Sequence, residues 1–396
     1  MIRLAWRYLW SSPLSTALNL LLLTLGLAAI TFVLRAGEQV EGALRRDLEG
    51  IDLVVGAKGS PMQLILAGVF HLDTPTGNIP LATLDLIRRQ PLVADAVPLA
   101  LGDSLQGYRI VGTVPGFLDF YRARLAQGGA WSRPMQAVLG AEVARRLGLG
   151  VGDHFAGSHG LGEGGAEHGE HRFEVVGVLA ASGGALDRLV LVDQASVWAL
   201  HEHHASNDTE HAQDEREITL LLVRYRSPLA AVMLPRWVNA QEGLQASAPT
   251  LETARLMRLL GAGTEVLKGF GVVLLVAALL SVWVALLHAV RARQPDLAML
   301  RMLGAPAWRV AALIALEALL LAGLAAVLGL AAGHGLVAVL ERLLAERQSL
   351  RLAPLGLSEA EWLVPLLAGG LAVLAAAWPA WRAYRLDVTT LLQAPR

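Results

Sequence analysis

The segment that decides the fold is Arg291-Ala-Arg-Gln-Pro-Asp-Leu-Ala-Met-Leu-Arg-Met-Leu-Gly-Ala-Pro-Ala-Trp-Arg309. It is short and basic, and it lies between two long apolar runs, one ending near Val290 and the other beginning near Val310. Arginine is costly in the hydrocarbon layer, so a basic segment in this position predicts a turn of the chain at a membrane surface. We call residues 291–309 the elbow.

The apolar runs on either side of the elbow belong to a set of four. The chain of 396 residues is 54% hydrophobic and only 17% charged, which is too apolar for an ordinary soluble protein. A helix that crosses the bilayer needs about 20 apolar residues. Four runs meet that length and predict transmembrane helices at 16–35, 268–290, 310–340 and 362–381.

The arginines beside these runs predict the orientation of the chain. Cytoplasmic loops are enriched in lysine and arginine, so the segment 1–15, the elbow and the tail 382–396 are predicted to be cytoplasmic. The domain 36–267 and the short loop 341–361 are then predicted on the far side of the membrane. The arginines that carry this prediction are Arg3, Arg7, Arg291, Arg293, Arg301, Arg309, Arg382 and Arg385.

The segment between the first two spans has the pattern of a soluble domain. Short β-branched runs that predict strands alternate with amphipathic runs that predict helices, which is typical of a mixed α/β domain. The predicted strands include 93–101, 108–114, 135–140, 173–179 and 218–225, and the predicted helices 81–90, 141–147 and 228–243. The predicted fold class is therefore an α-helical membrane protein with four transmembrane helices and an extracytoplasmic mixed α/β domain inserted between helices 1 and 2.

Inside the elbow, the residue types predict a short helix. Asp296 is a suitable N-cap, Gly304 suits the C-terminal end, and Pro306 suits the start of the next helix. The predicted helix covers 297–303. Composition alone favours a connecting loop whose arginines only fix the topology.

Small residues recur every four positions in two of the predicted spans. Such faces let helices approach closely in lipid. The sequence leaves open whether they pack within one chain or between two copies. They are Ala277, Ser281 and Ala285 in the second span, and Ala325, Gly329 and Gly333 in the third.

Several of these motifs resemble one family. The pattern Arg-x-x-Asp-Leu-x-x-Leu-Arg-x-Leu-Gly-Ala at 293–305, followed by Glu317, resembles the permeases of the MacB/FtsX/LolC family of ABC transporters. The tail from Pro379 to Asp387 resembles the closing motif of the same family. The runs 137–153 and 173–179 are similar to its MacB-like periplasmic core domain.

The resemblance implies a homodimeric permease of the bacterial inner membrane, with cytoplasmic termini and a periplasmic core domain. A separate ABC ATPase would bind ATP and move the elbow as a coupling helix, and the motion would reach the periplasmic domain. A periplasmic adaptor, a lipoprotein or a cell-wall enzyme is the further partner implied. Carried over residue by residue, the ATPase-coupling residues are Asp296, Leu297, Leu300, Arg301, Leu303, Gly304 and Ala305.

The sequence adds three exclusions. It contains no G-x-x-x-x-G-K-[ST] phosphate loop and no catalytic motif, so we expect neither ATP hydrolysis nor another enzymatic activity in this chain. It contains no cysteine, so neither a disulfide framework nor a thiolate metal site is expected. Its net charge of −1 argues against nucleic acid as a partner.

An FtsX-like regulator of cell-wall enzymes, which transports nothing, remains an alternative function.

Glu317 is an ionisable residue at membrane depth in the third predicted span. Such residues are rare there and face protein or water. A proton relay and a polar contact between packed helices are both consistent with it, and the second is the simpler interpretation.

Histidines are concentrated in two loops of the predicted domain, at about 154–171 and 201–214. Imidazole and carboxylate at this density can bind zinc or another divalent metal, which would make the chain a membrane-anchored metal-binding or metal-sensing protein. A solvated insertion rich in glycine, histidine and acids is the alternative. The candidate ligands are His154, His159, His168, His171, His201, His203, His204 and His211.

Overall fold

The computed structural model describes residues 1–160, 167–202, 216–345 and 359–385. These residues form two compact units, and the boundaries at 40/41 and 258/259 fall inside two long helices. The helical unit contains residues 1–40, 259–345 and 359–385, and the α/β unit contains residues 41–160, 167–202 and 216–258.

The chain begins with two helices, α1 (Ile2–Leu9) and α2 (Pro13–Asp47). The short helix α1 is amphipathic. Ala5 and Leu9 are buried in the helical unit, whereas Trp6 and Trp10 are 43% and 47% exposed. Tryptophan is favoured at the membrane–water interface, so this arrangement suits a helix that lies along the membrane surface.

The α/β unit contains a large mixed sheet with helices on both faces. Ten strands form the sheet in the order β12-β1-β11-β3-β4-β9-β6-β8-β5, with β7 paired to β3 and β8, and β2 and β10 pair separately. The strands are β1 (Leu53–Ala57), β2 (Ile79–Pro80), β3 (Val93–Leu105), β4 (Tyr108–Thr113), β5 (Leu125–Gly128), β6 (Gln136–Leu139), β7 (His154–His159), β8 (Glu167–Leu179), β9 (Val190–Asp193), β10 (Glu217–Ile218), β11 (Leu220–Tyr225) and β12 (Leu244–Ser247). The helices are α3 (Pro61–Gly68), α4 (Ala82–Arg88), α5 (Gly116–Phe120), α6 (Ala141–Leu147), α7 (Gln194–Glu202) and α8 (Ala230–Asn239).

Alternation along the central strands explains the two covered faces. Successive side chains of a strand point to opposite faces of the sheet. In β1, Val54 packs with Leu64 of α3 and Phe117 of α5, whereas its neighbour Val55 packs with Leu234 of α8. Because both faces are buried, the strand is apolar at every position from Leu53 to Val55, as is typical of an interior strand. The predicted mixed α/β domain is confirmed.

Four further helices complete the helical unit: α9 (Pro249–Ala292), α10 (Gln294–Met302), α11 (Ala307–Ala345) and α12 (Leu363–Tyr384). Among the described residues, four segments are long and apolar enough to cross a membrane, in agreement with the predicted number of spans and their order. These segments are Pro13–Asp47, Glu265–Ala292, Ala307–Arg342 and Glu359–Tyr384. The helices run beyond the predicted spans, since hydropathy marks the apolar part of a helix rather than its ends.

The small residues of the third span pack within the chain, against α2. A Cβ atom placed on Gly329 would lie 2.7 Å from the Cβ of Leu27, and one on Gly333 would lie 2.6 Å from the Cβ of Thr31. Ala325 on the same face is fully buried. On the second span, Ser281 donates a hydrogen bond of 2.6 Å to the side-chain oxygen of Asn19. Both faces therefore contribute to packing inside one subunit.

Replacing Gly333 with valine is expected to destabilise the helical unit, because the new side chain would overlap Thr31 of the neighbouring helix. Overpacking of this kind costs about 1–3 kcal/mol or more. The measurement is the temperature at which the detergent-solubilised protein loses its monodisperse peak in size-exclusion chromatography. Gly335→Val is the matched control, because nothing lies within 4 Å of that position. An equal decrease of this temperature in both variants would contradict close packing at Gly333.

Candidate functional site: the elbow and its ion pair

The elbow forms a separate short helix between α9 and α11. Helix α10 begins at Gln294, after Arg293 as N-cap residue, and Pro295 and Asp296 lie in its first turn. The predicted start at Leu297 with Asp296 as cap is therefore wrong. Proline is favoured in the first turn because its missing N–H is not needed there, and this moves the helix start upstream. Asp296 instead lies where a carboxylate interacts favourably with the helix dipole.

The C-terminal end of α10 confirms the prediction for Gly304. This residue has φ of +93°, a left-handed conformation that favours glycine. The Gly304 N–H donates to the carbonyl oxygen of Arg301, and the Ala305 N–H donates to that of Leu300, each at 3.1 Å. This pair of bonds is a Schellman motif. Helix α11 then begins at Ala307, directly after Pro306.

Burial divides the predicted coupling residues into two groups. Leu297 is only 3% exposed, and Leu300 packs against the same core of the helical unit. Both leucines therefore hold α10 against the membrane helices, so Leu297 has no exposed surface to offer a partner. Asp296, Leu303 and Gly304 are exposed, whereas Arg301 and Ala305 are half-buried.

An exposed apolar face lies on the other side of α10. Met299, Met302 and Leu303 are 61%, 62% and 80% exposed. Residues three and four positions apart are neighbours on a helix surface, so the three side chains form one patch, which we call the apolar face of the elbow. The family pattern did not include Met299 or Met302. In the sequence, Met299 lies three positions before Met302 and four before Leu303. This helical spacing could have identified Met299 and Met302 as members of one face with Leu303.

The elbow is anchored by Arg293 at its first turn. The Arg293 Nη1 atom lies 3.1 Å from Oε2 of Glu317 in α11, and both side chains are largely shielded from solvent. Nη2 donates to the Tyr8 carbonyl oxygen at 2.7 Å and to Ser11 Oγ at 2.6 Å. The guanidinium also lies 4.4 Å from the centre of the Tyr8 ring. One side chain therefore joins the elbow to α11 and to the N-terminal segment.

This geometry gives Glu317 a structural partner. Its carboxylate is paired with a guanidinium, as polar groups within a membrane protein usually are. The contact favours the packing role for Glu317 over a proton relay. The proton relay stays a hypothesis, which the variant Glu317→Gln tests.

The predicted metal ligands fall mostly outside the described part of the chain. His154, at the start of β7, is exposed. The side chains of His159, His168, His171 and His201, and the residues His203, His204 and His211, lie outside what the structure describes. Within the described ranges no group of three or more histidine and acidic residues is placed to hold a metal ion. Metal binding by these loops therefore stays a prediction.

One histidine that the sequence did not single out is distinctive in the structure. His71 follows α3, and its Nδ1 atom is shielded from solvent and has no hydrogen-bond partner among the described residues. Burial lowers the pKa of His71 from its ordinary value of 6.5 to about 3, and the positive charges of Arg109 and Arg188 contribute. Asp47, Glu49 and Tyr121 are ionisable residues that line the same cavity as His71. His71 is therefore neutral in the folded protein above about pH 3.

This neutral histidine predicts that the α/β unit loses stability in mild acid. Below pH 6.5 the unfolded chain binds a proton at His71 that the folded chain does not. The contribution of the neutral histidine to the free energy of unfolding is therefore fully present above pH 6.5 and is lost as the pH falls toward 3. Between pH 7.5 and pH 5 the loss is about 2 kcal/mol, at about 1.4 kcal/mol per pH unit below 6.5. Melting curves at both pH values are the measurement. His71→Gln should reduce the difference in stability between the two pH values, and His154→Gln should not. The same pH dependence of stability in the wild-type protein and both variants would contradict the role assigned to His71.

The sequence of the chain matches two protein-family models. The MacB-like periplasmic core domain matches residues 16–233, and the FtsX-like permease C-terminal domain matches residues 268–388. The first includes most of the α/β unit and the second includes the elbow with the last three spans. A comparison with curated proteins gave no match.

Two solved structures each match about half of the chain. One is the periplasmic region of MacB from Actinobacillus actinomycetemcomitans, with 10% identity and a TM-score of 0.35, which covers 53% of this chain and 95% of that chain. The other is the extracellular domain of the noncanonic ABC-type transporter YknZ from Gram-positive bacteria. It has 13% identity and a TM-score of 0.31, and it covers 50% of this chain and 98% of that chain.

Four spans, a soluble domain inserted after the first of them, and a short helix between the second and third define a permease-type membrane protein. The two family models together extend over most of the sequence, in the order that this architecture requires. The chain belongs to the MacB/FtsX-type family of ABC-transporter permeases.

Proposed function

We propose that this chain is the transmembrane subunit of an ABC system and that a separate ATPase docks on the apolar face of the elbow. The observation that carries the proposal is the exposure of Met299, Met302 and Leu303 on a short helix between two membrane spans. Exposed apolar patches with polar surroundings mark interaction sites. Methionine also adapts its shape to a partner surface.

The surroundings of this face support a protein partner in the cytoplasm. Arg291 and Arg309 are exposed at the two ends of the elbow, and arginine is enriched both in cytoplasmic loops and in protein interfaces. The proposed orientation therefore has both termini and the elbow in the cytoplasm of a bacterium and the α/β unit in the periplasm. A homodimer is the proposed assembly.

The proposed mechanism is mechanical. Closure of the ATPase would push the elbow, and Leu297 and Arg293 would transfer the displacement to the membrane helices, because both are tightly packed in the helical unit. The α/β unit would respond by acting on a periplasmic or membrane-derived cargo. ATP would be bound by the partner, since the sequence lacks a phosphate loop.

The experiment is purification of the full chain from its native membranes in mild detergent, followed by mass spectrometry of the co-purifying proteins. We expect an ATPase with a G-x-x-x-x-G-K-[ST] sequence in stoichiometric amount. A chain that purifies intact without any such protein, both with and without a non-hydrolysable ATP analogue, would overturn the proposal.

A further inference from the structure

The α/β unit contains a cavity of about 400 Å³ at the C-terminal end of α2. This volume is in the range of small-molecule sites in proteins. The segments that follow α3 and α5, and the loop after β8, complete its walls. The residues that characterise it are Arg46, His71, Phe120, Tyr121, Arg122 and Leu186.

His71 is the first unusual residue in the lining of the cavity. Its Nδ1 atom is shielded from solvent and lacks a hydrogen-bond partner among the described residues. Buried polar atoms in native proteins are almost always paired, and the exceptions occur where a site stores strain, has a chemical role, or binds a water or an ion. A neutral imidazole can either donate or accept at this nitrogen, depending on its tautomer.

Backbone strain is concentrated at the same cavity. His71 has φ of +55° and Arg122 has φ of +50°, and the left-handed conformation costs a non-glycine residue about 1 kcal/mol or more. Both residues line the cavity. Residues held in such conformations cluster at active sites and ligand-binding sites, where the surrounding structure maintains them.

The charges at the cavity favour an acidic ligand. Asp47 already accepts a hydrogen bond of 2.8 Å from the Ala185 N–H, and Arg224 donates to the carbonyl oxygens of Gly50 and Phe120. The exposed guanidinium of Arg46 makes no hydrogen bond with any residue that the structure describes. Arg122 faces Glu49 at 3.7 Å in an exposed pair, and such pairs are weak enough to exchange partners.

Part of the cavity lining is aromatic or aliphatic. Phe120 and Leu186 are 2% and 8% exposed, and Tyr121 packs against Phe117 and Phe120 with ring centres 4.7 Å and 5.9 Å apart. A site that combines exposed guanidinium groups with aromatic and aliphatic lining residues matches a ligand with an acidic head and an apolar body.

We propose that this cavity binds an amphipathic organic anion. Its acidic group contacts the guanidinium groups of Arg46 and Arg122 beside His71, and its apolar part lies along the aromatic and aliphatic side chains of the lining. A free fatty-acid-like molecule and the head region of an anionic lipid share this chemistry.

The test uses the full chain in nanodiscs of zwitterionic lipid and a photoreactive eight-carbon carboxylic acid that carries a diazirine. After irradiation, labelled peptides are mapped by mass spectrometry. We expect labels on the segments that line the cavity, and competition by excess octanoate but not by octylamine. Labelling confined to the membrane helices, or equal competition by the amine, would overturn the proposal.

Variants make the test specific. Arg46→Gln changes an exposed side chain and should leave the fold intact, yet we expect labelling of the cavity to fall roughly tenfold, which corresponds to about 1.4 kcal/mol. Arg89→Gln is the matched control, an exposed arginine of the same unit that does not line the cavity. Equal labelling of both variants and the wild-type chain would refute the site.

A last arm separates the two sources of the anion. The nanodiscs are prepared again with phosphatidylglycerol as about a third of the lipid. Loss of cavity labelling there would support the lipid head region as the occupant, whereas unchanged labelling would support a free amphipathic anion.

Discussion

Leu303→Asp is expected to abolish co-purification of the ATPase while leaving the membrane subunit folded. Leu303 is 80% exposed, so the change disturbs no internal contact. In the complex, however, a carboxylate would be buried against an apolar partner surface. Interface hot spots of this kind contribute about 2 kcal/mol or more, which weakens binding roughly 30-fold.

The control for this prediction carries the same substitution at a different exposed leucine. Leu229, at the start of α8, is 58% exposed, and aspartate is favoured at a helix N-cap. Leu229→Asp should therefore fold and retain the ATPase. If Leu303→Asp retained it equally well, docking on the apolar face of the elbow would be refuted.

Arg293→Met is expected to have the largest effect on the integrity of the elbow. The substitution leaves the Glu317 carboxylate, which is largely shielded from solvent, without the cation 3.1 Å away. It also removes the hydrogen bonds to Tyr8 and Ser11. Removing one partner of a buried ion pair costs about 3–5 kcal/mol. Limited proteolysis at the arginines of the elbow and the thermal stability of the solubilised protein are the measurements.

Two companion variants separate packing from proton transfer. Arg293→Met combined with Glu317→Leu should be more stable than Arg293→Met alone, because the unpaired carboxylate is gone. Glu317→Gln keeps a hydrogen-bond acceptor for Arg293 and should retain coupling to the ATPase. A stable Glu317→Gln protein that lost all transport-coupled activity would instead favour the proton relay.

The sequence predicted the architecture because its main signals are local. Long apolar runs mark spans in any context, and alternating or amphipathic runs marked strands such as β4 and helices such as α6. Gly304 was also readable, since a glycine after an amphipathic run indicates a helix end. The start of α10 was misplaced because Asp296 and Pro295 each signal a helix start, and the proline determines it.

The burial of the elbow and the environment of His71 could not be read from the sequence. Leu297 and Met299 are both apolar residues of one short helix, and only the packing of that helix against the bundle decides which of them faces inward. The lowered pKa of His71 likewise depends on burial and on the charges of Arg109 and Arg188, which come from distant parts of the chain. Tertiary contacts set both features, and no local pattern encodes them.

Cross-linking from the elbow tests the central claim most directly. The chain contains no cysteine, so Leu303→Cys provides a single thiol, and Leu229→Cys provides a matched thiol on the α/β unit. Each variant is treated in native membranes with a short thiol-to-amine cross-linker, and the adducts are identified by mass spectrometry. We expect an adduct between position 303 and an ATPase that carries a phosphate loop, and none with that ATPase from position 229. Absence of the ATPase from the adducts at position 303, with the thiol shown to be reactive, would contradict it.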